Sequence, residues 1–121
     1  MNIYIAGPMC GIELYNFPAF DSAAEVIRQH GHTPISPAAI DRLFGFDPAT
    51  DVETEQFMER AFWLDMASLF ASDAMVLLDG WEESRGALME RGVAVFLGKP
   101  IVSLHSLEHL PVGSIVSGPE T

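Results

Sequence analysis

"AMVLLDGWEESRGALMERGVAVFLGKPIVSL", residues 74–104, is the stretch whose reading decides the fold. It opens on a continuous apolar run, residues 74–80, that stops at Gly80. A run so short and so uniformly apolar reads as a strand buried on both faces. Residues 84–98 have helical spacing and close at Gly98, a residue suited to a helix C-terminus. Residues 99–104 return to apolar and β-branched types and read as another strand. Strand, helix and strand in that order make a parallel crossover unit.

The same alternation continues toward the N-terminus. "NIYIAG" (2–7) is a short strand stopped by Gly7-Pro8, and a loop runs from there to residue 16. Residues 17–32 carry Phe20, Ala23, Ala24 and Ile27 at helical period, with Gly31 as the stop. Residues 33–36 are a short extended piece. Residues 37–53 form the longest irregular stretch, punctuated by Pro, Gly and Asp, with room for a short helix. Residues 54–73 predict an amphipathic helix, capped by Thr54, with Phe57, Ala61, Leu64 and Leu69 along one side. The expectation is an α/β, three-layer sandwich with a four- to five-stranded parallel sheet. Residues 1–121 read as one domain, without repeat or linker, ending in a loosely ordered tail over 105–121.

Six basic residues stand against 17 acidic ones, a formal net charge of −11. That balance argues against long nucleic acid and against an anionic membrane, both of which call for basic surfaces. One small anion can still be held by local dipoles. No apolar run is long enough to span a bilayer, and no leader pattern precedes the first strand. The single cysteine, Cys10, excludes an internal disulfide and fits a reducing compartment. We expect a cytoplasmic protein. The small core, and the exposed apolar groups offered by "FGF" and "FWL", predict a homodimer or higher homo-oligomer.

Ligands of parallel sheets sit beyond the carboxyl ends of the strands. Three loops lie there: 7–16, 36–53 and 79–85. Residues 79–86, "DGWEESRG", lead into a helix N-terminus, where free N–H groups and the helix dipole favour an anion. Ser84 adds a hydroxyl, Arg85 a charge, and Gly86 room for close approach, so a phosphate fits; alternatively Ser84 is a plain cap and Arg85 is solvated. Glu90 follows Gly86 by one helical turn and shares its face, which Val93, Ala94 and Leu97 continue. A carboxylate on that side is partly desolvated, which is costly unless it has a task. The competing reading makes it an ordinary exposed helix glutamate. Asp65, between Ala61 and Leu69, is either a rim aspartate paired with Arg60 or a second inward acid. Two carboxylates from separate elements near strand ends are the arrangement used in glycosyl-bond chemistry.

Tyr4 can orient a carboxylate or simply fill the core. Trp81, Trp63, Phe17 and Phe46 can stack a base or pack. Cys10 has no histidine tied to it by motif and reads as incidental. His30/His32 and His105/His109 have metal-like spacings but no cysteine or paired carboxylate nearby, so neither metal nor cofactor is expected.

Three blocks, "IYIAGPM.G", "YNFPAF" and "D...L..SDAMVLLDGWE.SRGA..E.G.A..LGKPIV", agree in order and spacing with a known pattern. The chain resembles a small family of uncharacterised phage and bacterial proteins related to the nucleoside 2-deoxyribosyltransferases and the 2'-deoxynucleoside 5'-phosphate N-hydrolases. The likeness covers residues 2–104, apart from the loop 37–53. It implies a Rossmann-like sheet and cleavage of an N-glycosidic bond, with Glu90 as nucleophile, Asp65 as second acid and Tyr4 orienting the nucleophile. It also implies a substrate-binding set of Gly7, Pro8, Met9 and Gly11 from the first loop, with Phe17, Trp81, Ser84, Arg85 and Gly86. Where the transferases carry an aspartate, this chain carries Ser84, as the nucleotide hydrolases do. The ligand implied is therefore a nucleoside 5'-monophosphate or nucleoside, with water or another base as acceptor. Glu82 and Glu83 depart from a simple phosphate site. The alternative is a non-catalytic nucleotide-binding protein, a sensor or sequestering module on the same fold. A further alternative is an interaction protein whose acidic surface meets a protein partner.

Overall fold

The computed structural model describes residues 1–110. Four strands, β1 (Asn2–Ala6), β2 (Thr33–Ile35), β3 (Ala74–Leu77) and β4 (Ile101–Ser103), pair in the order β2-β1-β3-β4, all parallel. The helices are α1 (Phe17–Gln29), α2 (Pro37–Leu43), α3 (Glu55–Ala71) and α4 (Arg85–Phe96). The expected α/β sandwich with a four-stranded parallel sheet is the observed fold.

Side chains alternate across a strand, so each central strand feeds two cores. Ile3 and Ile5 of β1, with Ala74 and Val76 of β3, pack against Phe17, Phe20, Ala23 and Ile27 of α1. Tyr4, Ala6, Met75 and Leu77 face the other way, toward Met66 and Leu69 of α3 and Ala94 of α4. All eight of these strand residues are buried, which is why β1 and β3 read as unbroken apolar runs.

Local chemistry sets the helix starts. Thr54 accepts the Phe57 N–H at 3.1 Å, Ser36 the Ala39 N–H at 3.4 Å, and Ser84 the Ala87 N–H at 3.2 Å. The short helix for which residues 37–53 left room is α2.

Two expectations need correction. Residues 105–110 are not a loose tail: a 3-10 helix spans Leu104–His109, and Leu107 and Leu110 are buried in the α1-side core. The rest of that tail lies outside the described residues. Nor is α3 a one-sided amphipathic helix. Leu69 faces the core, but Met58, Phe62, Trp63 and Phe70 are exposed, so apolar residues surround the helix.

At the end of β1 the chain passes β3 at close quarters. A Cβ on Gly7 would lie 2.7 Å from Leu78 Cβ and 2.9 Å from Leu78 Cδ1, and Leu78 is itself buried. Gly7→Ala therefore forces either strand end to move, and we expect a loss of about 1–3 kcal/mol. Urea denaturation tests this; an unchanged midpoint would contradict the close-approach role of Gly7.

Candidate functional site

β1 connects outward to β2, and β3 connects outward in the opposite direction to β4. At such a reversal the loops leaving two adjacent strands part and open a crevice. The crevice here is a cleft of about 700 Å³. Gly7, Pro8 and Met9 line it from the β1 loop, Asp65 from α3, and Ser84, Arg85, Gly86 and Glu90 from α4 and its cap. The two loops touch: Pro8 Cγ lies 3.3 Å from where a Cβ on Gly80 would stand, at a glycine with φ +87°. Asn16 Nδ2 donates to the Pro8 carbonyl at 2.8 Å and ties down the first loop. Leu14, Tyr15 and Asn16 all take left-handed backbone there, with φ of 54°, 51° and 62°. Strained backbone of this kind persists only where its surroundings hold it.

Beneath the cleft, Tyr4 rises from β1 and its hydroxyl donates to Glu90 Oε2 at 2.7 Å. Burial, followed by the charge of Glu90, pushes the Tyr4 pKa well above its usual value, so the phenol stays a donor. Burial pushes Glu90 up to about 7, against the opposing pull of the Tyr4 hydrogen bond. Glu90 is thus turned inward and held by the sheet, not displayed to solvent.

Asp65 does not pair with Arg60. It faces the cleft, while the Arg60 guanidinium lies over the Phe44 ring, 5.6 Å from its centroid. Asp65 Oδ1 is buried without a hydrogen-bond partner among the described residues. Burial, then the Glu90 and Asp41 carboxylates, push Asp65 up to about 8. Both cleft acids are therefore raised toward neutrality, and a proton is held more readily on Asp65 than on Glu90.

The N-terminus of α4 forms another wall. Ser84 does serve as the cap, and its carbonyl accepts the Leu88 N–H at 2.9 Å. The amides of Arg85 and Gly86 remain among the first-turn donors that no helix can satisfy internally. A Cβ on Gly86 would meet only Ser84 Oγ, at 4.0 Å, so the glycine leaves open space beside those donors.

Three expected site residues stand elsewhere. Phe17 is buried in the α1-side core against Phe46, with Arg42 over its ring at 4.9 Å, so it has no face to offer a base. Trp81 packs on the α3/α4-side core and carries Arg91 over its ring at 5.1 Å, away from the cleft lining. Gly11 is exposed, with φ +80°, and serves the turn rather than the cleft wall. Among the other aromatics, Phe46 is stacked on Phe57 at 4.7 Å, and Trp63 is exposed on α3.

Sequence reasoning missed several neighbours. Glu53 lines the cleft and accepts a hydrogen bond from the Cys10 thiol, Sγ to Oε1, at 3.5 Å. Pro37 and Met58 line it too. Asp41, on α2, is buried, and burial followed by the charge of Glu53 raises it to about 6. Its position one turn after Pro37 was the available signal, but α2 is too short for a period to stand out. The histidines stand apart from the cleft: the His30 ring donates to the Val26 carbonyl at 2.9 Å, and His105 lies 3.2 Å from Asp79. No helix among the described residues is long and apolar enough to cross a membrane.

The cleft acids make stability depend on pH. Asp65, Glu90 and Asp41 keep their protons to about 8, 7 and 6 in the folded chain, whereas unfolded carboxyls release theirs near about 4. The folded state therefore binds more protons across that interval. The contribution is fully present below about pH 4 and is lost as pH rises through these folded values. We expect the Tm to fall from about pH 5 to about pH 8. Asp65→Asn should flatten the fall and exceed wild type at the alkaline end by about 1–3 kcal/mol. A wild-type Tm that rose across this window would contradict the buried-acid account.

The fold is similar to a solved 2-deoxyribosyltransferase from the psychrotolerant bacterium Bacillus psychrosaccharolyticus. The TM-score is 0.63, at 24% identity, over 85% of this chain and 71% of that one. No curated protein matches the chain. The family model described as Domain of unknown function (DUF4406) matches residues 1–103, nearly the whole of the described chain, and the protein belongs to that family.

Proposed function

We propose that this protein cleaves the N-glycosidic bond of a 2'-deoxynucleoside 5'-monophosphate and releases the free base. The observation that carries the reading is the pair of buried acids in one cleft, Glu90 held by Tyr4 at 2.7 Å and Asp65 with an unpartnered oxygen. Likeness of fold to a 2-deoxyribosyltransferase supports the same class of chemistry.

The ionised Glu90 carboxylate attacks the anomeric carbon, forming a C–O ester bond as the C–N bond to the base breaks. The Tyr4 hydroxyl fixes the attacking carboxylate and steadies its charge. Asp65 gives its proton to the departing base and becomes a carboxylate. In the second half, Asp65 takes a proton from water, and the water oxygen displaces Glu90 from the anomeric carbon. Sugar phosphate leaves with both acids restored; a second base in place of water gives transfer. The α4 donors, with Ser84 and Arg85, hold the 5'-phosphate one helical turn from Glu90. The acids Glu53 and Glu83 also line the cleft and oppose a phosphate, so the anion docks on the amide side, at Arg85 and Gly86. The protein works as a homo-oligomer.

Chromatography of free base released from a panel of ribo- and deoxyribonucleosides and their 5'-monophosphates tests the reading. Wild type should release base, fastest from a deoxyribonucleoside monophosphate. Glu90→Gln should fall to background, and Asp65→Asn should lose about 10²–10⁴-fold. Base release that persisted in Glu90→Gln would refute the mechanism. Binding of nucleotide without turnover in wild type would point instead to a sequestering module.

The pH profile should be a narrow bell, because Glu90 must be ionised, at about 7, while Asp65 stays protonated, to about 8. Tyr4→Phe removes the bond that lowers Glu90, so the acid limb should move to higher pH and the maximum rate should drop by roughly 10–100-fold. An acid limb that stayed in place would contradict the role of Tyr4. Gly86→Val should fill the open space at the phosphate and raise KM for a monophosphate more than for the nucleoside; equal effects would remove the phosphate from this wall.

A further inference from the structure

The acids of the cleft form a series. Asp65 feels the charges of Glu90 and Asp41, and Asp41 feels that of Glu53. They follow one another from α4 across α3 and α2 to the loop before α3. With phosphate at Ser84–Gly86 and sugar at Glu90, a base leaving beside Asp65 lies toward Glu53. Met9, Cys10, Pro37 and Met58 line the cleft from the neighbouring elements.

The side chains of that half accept hydrogen bonds and have almost none to give. The Glu53 carboxylate is acceptor-only, and the Met9 and Met58 thioethers are weak acceptors. The Cys10 thiol directs its proton to Glu53 Oε1, at 3.5 Å. Among the described residues Arg85 is the one cation that lines the cleft, and it stands at the α4 end. Arg42 is held by Asp21 at 2.7 Å, and Arg60 lies over Phe44.

Glu53 is also held in place. Its neighbour Thr54 caps α3 through the Phe57 N–H, and Phe46 stacks on Phe57 at 4.7 Å. The Asp47 N–H donates to Asp51 Oδ2 at 2.8 Å and folds the loop back on itself. A carboxylate has about four acceptor sites, so the contact with Cys10 leaves capacity for a ligand.

We propose that Glu53 selects the base, so that the cleft takes monophosphates of amino-bearing bases, adenine and cytosine, over their oxo counterparts, hypoxanthine and uracil. This selection rests on the placement of phosphate and sugar in the proposed function. An exocyclic amine donates to the Glu53 carboxylate. An oxo group in its place sets one acceptor against another, with no proton between them. The thioethers pack against the ring of any base, so they hold the ligand without choosing it.

Two measurements on the full chain test this with the 5'-monophosphates of deoxyadenosine, deoxyinosine, deoxycytidine and deoxyuridine. One is kcat/KM for base release; the other is Kd by calorimetry in Glu90→Gln, where turnover does not interfere. The amino member of each pair should be favoured roughly 10–100-fold in both. Glu53→Gln, whose amide also donates, should bring the ratios toward unity, gaining on oxo bases and losing on amino ones. Glu53→Ala should lose the amino preference without gaining on oxo bases. Equal handling of each pair by the protein with Glu53 intact, or ratios that both Glu53 variants leave unchanged, would overturn the proposal. Glu90-dependent release that ignored the amino group would defeat the selection and leave the glycosidase reading standing. Amine-selective binding without release would do the reverse, and failure to bind any of the monophosphates would overturn both.

Discussion

A tyrosine at the centre of the sheet and a glutamate on the helix above it share one hydrogen bond of 2.7 Å, and the cleft is organised around it. Tyr4 can supply that bond only because β1 is buried on both faces, which fixes its register between β2 and β3. Glu90 can receive it only because α4 begins where it does. The start is set by Ser84, whose hydroxyl and carbonyl take the Ala87 and Leu88 amides. A shift of α4 by one residue would turn Glu90 through about 100° and break the bond. Sheet register and helix cap therefore act on the same carboxylate from opposite sides.

The cleft holds more acid than stability favours. Four of its lining side chains are carboxylic, and Asp65 has a buried oxygen with no partner among the described residues. Desolvation is the first cause of the raised pKa at Asp65, Glu90 and Asp41 alike. A fold selected only for stability would replace such groups with apolar ones of similar volume. Local conflicts of this kind mark functional sites, where stability is given up for chemistry. The left-handed run Leu14–Asn16 beside the cleft points the same way.

Much of the fold was legible because parallel strands buried on both faces leave a strong trace. "NIYIA" and "AMVL" have no charged residue, and after Asn2 the one polar atom on their side chains is the Tyr4 hydroxyl, which Glu90 satisfies. Gly86 and Glu90 were legible together because they lie one turn apart on one helix, with Ser84 before it as a cap, whereas Asp65 was read separately on another helix and only the fold brings it to the same cleft. What escaped depends on distant parts of the chain. Phe17 looked available for a base, yet Phe46, far along in an irregular loop, closes over it. Glu53 has no periodic neighbours, and only the return of its loop brings it to Cys10. The one-sided reading of α3 failed because sequence spacing does not say which of its apolar residues the core takes: Met66 and Leu69 are buried, whereas Phe62, Trp63 and Phe70 are exposed.

The central claim is that Glu90 and Asp65 form a buried pair that shares its proton balance near neutrality. Carbon-13 NMR titration of the two side-chain carboxyls, assigned with Glu90→Gln and Asp65→Asn, measures this directly. Midpoints near 7 for Glu90 and near 8 for Asp65 are expected, with the Asp65 midpoint falling when Glu90 is replaced by Gln. Independent titration of both groups in the ordinary carboxyl range, about 4, would contradict it.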